Sequence, residues 1–184
     1  MEQQSVNTYG PVIVLIECEF VVGKNKEWLC KEIGVMNLRT KQVMCNTLQP
    51  PENVTWNDLP ENCKAQNGYL KDHIHGISFS EGCMVYTELA DMLVRTCAAY
   101  ENGIYTKGSE KCTFLSNILE KPILNLEDIP NLYTVNDLQI VNVEQNSRVR
   151  YACFHDHNSS SGRIHCCLNK MYRHKSKLRK YYKM

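Results

Sequence analysis

The chain has 184 residues, 43% of them hydrophobic, and a formal charge of +1, which suits one globular domain with a sizeable core. No apolar run approaches the roughly 18 to 20 residues of a membrane-spanning helix; the strongest, residues 12–16, is a strand's length. The near-zero charge joins two unlike parts: from Asn158 onward there are eight Lys or Arg and no acid, leaving thirteen basic against twenty acidic residues, a formal −7, in residues 1–157.

Three β-like segments come first. Residues 11–22 are rich in β-branched side chains, and a Gly23-Lys-Asn-Lys26 turn leads to further strands over residues 28–38 and 42–48. Gln49-Pro-Pro51 breaks the pattern, and residues 49–68 read as loop with room for a short helix. Val85, Leu89, Met92, Leu93 and Cys97 recur with the period of an amphipathic helix over residues 86–99. A short strand at 103–106 precedes a helix from Ser109, a candidate cap, to about Leu119, which Pro122 stops. The segment from Pro130 carries no clear period. A final helix is expected from His165 to about Tyr182, within the basic end formed by residues 158–184. Consecutive strands followed by strand alternating with helix predict a mixed α/β fold in a single domain, 1–184.

Ten cysteines on a secreted chain would suggest disulfides. The first residues lack the basic and apolar regions of a secretory signal, so the expectation is a reduced, intracellular protein of cytoplasm or nucleus. Cys18, Cys30, Cys45, Cys83, Cys97 and Cys112 fall in apolar segments and are expected to pack as small hydrophobes. The sequons at Asn53 and Asn158 are then accidental.

Two features carry chemistry. Cys153-Phe-His155-Asp-His157, a polar loop, and His165-Cys166-Cys167 place soft and borderline ligands around one loop, the chain's best candidate metal site, with Zn²⁺ the default occupant. The plainer reading is buried cysteines beside solvated histidines. Glu17 and Glu19 lie two residues apart and so face the same side of what should be a buried central strand. An unpaired buried carboxylate is costly, so a metal or a cation should lie nearby. The plainer reading is two solvated acids at a strand end. The basic end supplies Lys170, Arg173, Lys175, Lys177, Arg179 and Lys180 with Tyr172 interleaved, a composition suited to phosphates and unpaired bases. A solvated helix, a nuclear-localisation patch, or a tail folded back on its acidic body explains the same charges. His73 and His75 form a lone His-x-His, more often a surface feature than a ligand pair.

In order, these pieces resemble the RNase H-like fold of DnaQ-type (DEDDh) 3′–5′ exonucleases. Glu17-Cys-Glu19 stands at the family's Asp-x-Glu, and Glu32-Ile-Gly-Val35 at its Glu-Ile-Gly-Ala-like stretch. Residues 104–115, closing in Phe114-Leu115, match its His-Asn…Phe-Asp-x-x-Phe-Leu motif in length, and His165-Cys-Cys-Leu-Asn-Lys170 matches its His-x-x-Leu-x-Asp. Two departures stand out. Lys111 and Lys170 occupy positions where the family has Asp, and an ammonium repels the Mg²⁺ or Mn²⁺ that two-metal cleavage requires; the resemblance thereby makes them the candidate cations for Glu17 and Glu19. The Maelstrom domain, a branch of that superfamily, replaces the acidic set with a zinc-binding Glu-Cys-His-Cys set. The resemblance to it implies Glu17, Cys153, His157 and Cys166 as ligands, with Glu19, His155, His165 and Cys167 as substitutes. Neither His155 nor His157 has the family's spacing from Cys153. Four protein ligands close a tetrahedron, as structural zinc sites do.

The resemblance implies a domain that binds single-stranded RNA without two-metal chemistry. It extends to ribonuclease activity outside the exonuclease motif, for which no residues are assigned. A second reading is a divergent metal-dependent exonuclease using Glu17, Glu19 and His165, the last as general base, with Glu110 or Asp156 as compensating acids. A third is a protein-interaction scaffold whose basic tail is a localisation signal; RNA affinity would then survive removal of residues 170–184.

Overall fold

The computed structural model describes residues 13–133 and 167–182. Strands β1 (Val14–Val22), β2 (Trp28–Asn37) and β3 (Val43–Thr47) are followed by helices α1 (Glu61–Leu70) and α2 (Glu88–Cys97). Then come β4 (Ile104–Thr106), α3 (Ser109–Leu119), β5 (Leu124–Asn125) and the C-terminal helix α4 (Cys167–Tyr182). The five strands form one mixed sheet in the order β3-β2-β1-β4-β5. β2 runs antiparallel to β1 and β3, while β4 runs parallel to β1 and β5. The α/β class, the three leading strands and the central place of β1 are as the sequence predicts.

Alternation along β1 sorts its side chains onto two faces. Val14, Ile16 and Cys18 join Leu89, Leu93 and Cys97 of α2 and Leu115 and Leu119 of α3 in the larger core. Leu15 turns to the other face, where Met36, Tyr105, Leu126, Ile129 and Leu132 meet Met171 and Leu178 of α4. Glu17 and Glu19, in phase with Leu15, therefore lie beneath α4. The helix comes close because β2 has Gly34 there: a Cβ at that position would lie 2.6 Å from Met171 Cε and 3.1 Å from Cys167 Cβ.

A bulge interrupts the β1–β2 register beside Glu19: Glu19 pairs with Glu32, but Phe20 pairs with Cys30. Lys31 is the extra residue, and bulges of this kind re-aim a side chain. It is buried, and its ammonium donates to the carbonyls of Leu48 (2.9 Å), Phe79 (2.7 Å) and Glu81, tying the strand to the loops around it. Burial pushes the Lys31 amine down to about 8.

Three sequence expectations need correction, and one segment without an expectation takes a definite form. Where the sequence reads as loop with room for a short helix, Glu61–Leu70 form a helix of ten residues, continued by a π turn over Lys71–His75. Its period is faint because it buries only Cys63 and Asn67; Pro60 sets its start. The Asn67 side chain fastens it to the end of β1, accepting from Val22 N (2.7 Å) and donating to Val22 O (2.8 Å). Helix α2 begins at Glu88, which leaves Val85 outside it and exposed. Cys83 is exposed, Cys45 and Cys112 are half-buried, and Cys18, Cys30 and Cys97 are buried as expected. The eight described cysteines are free thiols. After Pro122, β5 and a 3-10 turn (Leu126–Asp128) place Leu126, Ile129 and Leu132 in the core under α4, where hydrophobic spacing without regular period gave no signal. No helix among the described residues is long and apolar enough to cross a membrane.

Candidate functional site: a buried carboxylate cluster beneath the C-terminal helix

Three carboxylates share the face of the sheet under α4. Glu17 and Glu19 come from β1, and Glu32 is Glu19's cross-strand partner on β2. Their exposures are 1%, 6% and 1%. Three buried negative charges within two adjacent strands are stable only if each is answered by a positive group or hydrogen-bond donors, and each is.

Glu17 is held from two sides. Lys111 Nζ, at the start of α3, donates to Oε2 at 2.5 Å, and His174 Nε2 of α4 lies 2.9 Å from Oε1. Burial alone would push this carboxyl up; the His174 hydrogen bond and the charges of Lys111 and His174 outweigh it and hold the group at about 2. The same contact raises Lys111: burial lowers it, and the charges of Glu17 and Glu19 more than reverse that. Lys111 reaches this spot because α3 starts directly after β4, the parallel neighbour of β1. His174 is oriented in turn by the Tyr133 hydroxyl, 2.8 Å from Nδ1, so the ring bridges hydroxyl and carboxylate.

Glu19 pairs with Lys170 Nζ of α4. Here burial prevails over Lys170 and Lys111, and the Glu19 carboxyl is raised. The two acids of one strand are thus pulled in opposite directions: Glu17 has two donors, and Glu19 has one cation in a half-open position. Glu32 faces the start of α4. Its Oε2 accepts from Cys167 N at 3.0 Å, and Cys45 Sγ lies 3.3 Å from its Oε1. A carboxylate at a helix N-terminus satisfies an orphan amide and complements the helix dipole. The buried Cys167 thiol is pushed well up by burial, and by the charges of Glu32 and Glu19.

Of the residues proposed as zinc ligands, Glu17, Glu19 and Cys167 are brought to this face. Cys153, His155, His157, His165 and Cys166 lie outside the described residues, as do Asp156 and the side chain of Lys180. Both oxygens of Glu17 are engaged, one by an ammonium, and a cation beside an ammonium is repelled; Glu17 in this setting does not fit a zinc ion. Cys167 is turned to Glu32, its Sγ 3.7 Å from the Glu32 carbonyl oxygen. Among the described residues no group of three or more His, Cys, Asp or Glu is arranged to hold a metal ion. Glu110, a compensating acid for a divergent exonuclease, is exposed on α3. His75 is fully buried rather than a surface feature, its Nδ1 accepting from Ile77 N at 3.1 Å, and His73 stacks against Tyr69 at 4.7 Å between centroids.

The basic set of α4 divides. Lys170 is committed to Glu19, and the Lys177 ammonium lies 4.3 Å from the centroid of Tyr133, with Lys107 over the same ring at 4.7 Å. Lys175 sits 5.6 Å from the Tyr172 ring centroid. Sequence reasoning missed Glu32, His174 and Tyr133. Glu32 had a signal, an acid two residues before Gly34 in an apolar strand. His174 had the spacing: Cys167, Met171, His174 and Leu178 form the buried stripe of α4.

No protein-family model, curated protein or solved structure matches this chain.

Proposed function

We propose that this chain is an RNase H-like domain derived from a DEDDh-type exonuclease, in which ion pairs stand in the place of catalytic metals, and that it binds single-stranded RNA without two-metal cleavage. The observation that carries this reading is the pairing of Glu17 with Lys111 and of Glu19 with Lys170. Both lysines come from positions where the resembling family has Asp, and each neutralises an acid that would otherwise attract Mg²⁺. Two-metal hydrolysis needs carboxylates converging on two cations that clamp the phosphate; here an ammonium fills each approach. The central position of β1 and the alternation after β3 support the same fold assignment. RNA binding rests on the cations of α4 that the buried cluster leaves unspent.

A 3′-labelled and a 5′-labelled single-stranded oligoribonucleotide, incubated with the protein in Mg²⁺ or Mn²⁺, test both halves. The expected result is a retarded complex at low salt and no metal-dependent shortening. Stepwise 3′ shortening that Glu17→Ala abolishes would establish the divergent exonuclease instead.

A further inference from the structure

Helix α4 carries cations on two flanks, and among the described residues only one of them meets an acid. Its buried stripe is Cys167, Met171, His174 and Leu178. On one side of that stripe lie Lys170 and Lys177, turned to Glu19 and Tyr133. The other side, at helical spacings of three, four and seven, presents Leu168, Tyr172, Lys175 and Arg179. Leu168 and Tyr172 pack on the same core cluster, which includes Met36 and Leu178, as do Leu38 and Val43 at the two ends of the β2–β3 hairpin. Because Cys167 meets Glu32 and Met171 lies over Gly34, α4 runs along β2 towards the hairpin tip, with this second flank on the side away from Tyr133.

The tip is built to project a cation. Asn37 Oδ1 accepts from Arg39 N (2.8 Å) and Thr40 N (2.9 Å), and Lys41 N donates to Asn37 O (2.9 Å). Lys41 is held at φ 63°, a left-handed conformation uncommon for a residue with a Cβ, and it is exposed. Lys41, Lys175 and Arg179 have no acidic partner among the described residues. Arg179 and Lys41 are near enough to Lys175 that, with burial the first cause, they lower its pKa. Like charges gathered without a counter-charge cost stability, and an anionic ligand removes that cost.

We infer that Lys41 of the β2–β3 hairpin joins Lys175 and Arg179 of α4 in one phosphate-binding strip, which takes the phosphodiester backbone of single-stranded RNA with Tyr172 beside it to stack a base. The inference rests on the RNA-binding reading above and adds its footprint. Arg179 supplies a planar fork for phosphate oxygens and the two lysines supply point charges. The half-buried Tyr172 ring favours a nucleic acid over an acidic peptide, because a base offers a π-face to stack on. The flank of Lys170 and Lys177 takes no part, although sequence alone ranks all these cations together.

The test uses the full chain and fluorescein-labelled oligouridylate, by anisotropy across a salt series. Three proteins are compared: wild type, Lys41→Gln/Lys175→Gln/Arg179→Gln, and Lys24→Gln/Lys26→Gln/Arg95→Gln, which removes the same charge elsewhere. The expected result is at least tenfold weaker binding for the strip variant, with a salt slope shallower by about 2, since each single-strand phosphate contact contributes roughly 0.7. The control should stay within about twofold of wild type. Equal affinity of both triple variants, with wild-type binding intact, would overturn the strip and leave the RNA reading standing. Absence of wild-type RNA binding, including binding of polyglutamate in its place, would overturn both.

Discussion

Replacing Lys111 with methionine keeps the length of the side chain and removes its charge. Among the described residues Glu17 would then keep only His174 as a partner, in a position with 1% of its surface exposed. Breaking a buried ion pair by deleting one partner costs about 3 to 5 kcal/mol, because the remaining charge is left uncompensated. For a domain of this size that corresponds to a fall in Tm of roughly 10 °C. The perturbation has a built-in control. Glu17→Gln removes the other charge, and the double variant removes both, so unfolding in urea of the four proteins forms a double-mutant cycle. The coupling between the two positions should be about 2 kcal/mol or more, with the double variant more stable than Lys111→Met alone. If Lys111→Met lies within about 1 kcal/mol of wild type and the two changes simply add, the pair is not stabilising. The claim that Lys111 stands in for a metal would fall with it.

The opposite pulls on the two carboxyls separate them by pH. Glu17, held at about 2, ionises more readily folded than unfolded, so its contribution is present above the ordinary carboxyl range and is lost as pH falls through it towards 2. Glu19 is raised, so its ionised form disfavours folding above that range and the penalty is relieved on acidification. At pH 7 Glu17→Gln should therefore destabilise by about 3 kcal/mol and Glu19→Gln by clearly less, as read from urea midpoints; the reverse order would contradict the assignment. Restoring acids with Lys111→Asp/Lys170→Asp should make Tm rise with added Mg²⁺, whereas wild type should show no Mg²⁺ dependence; calorimetry decides. Gly34→Ala should cost about 1 to 3 kcal/mol, partly recovered by Met171→Ala, since the new Cβ meets Met171 Cε first. Asn67→Ala should cost about 2 kcal/mol in a thermal melt, because it strips two hydrogen bonds from the Val22 backbone.

Helix α4 is part of the core, and that changes how the basic tail can be tested. Removing residues 170–184 deletes Met171, His174 and Leu178 from the core and both partners that α4 supplies to β1. Loss of RNA affinity after such a truncation would report unfolding as readily as lost contacts, so point substitutions on the outer flank are the informative change.

Local chemistry determined much of this protein. β-branched runs and turn residues set β1 to β3, period and stops set α2 and α3, and two acids in an apolar strand demanded a counter-charge. The family resemblance pointed to Lys111 and Lys170 as the candidates, because they stand where that family has Asp. What the sequence could not settle was which cations would be used internally. Lys170 and Lys177 look no different in sequence from Lys175 and Arg179. Only the packing of α4 on the sheet, with Cys167, Met171, His174 and Leu178 inward, turns the first two towards Glu19 and Tyr133 and the others away from them. Glu32 and His174 carried local signals of burial but none of their partners, which lie 135 and 157 residues away along the chain at Cys167 and Glu17. Charge type is written along the chain, but charge compensation is a property of distances that exist only after the sheet and helix have packed.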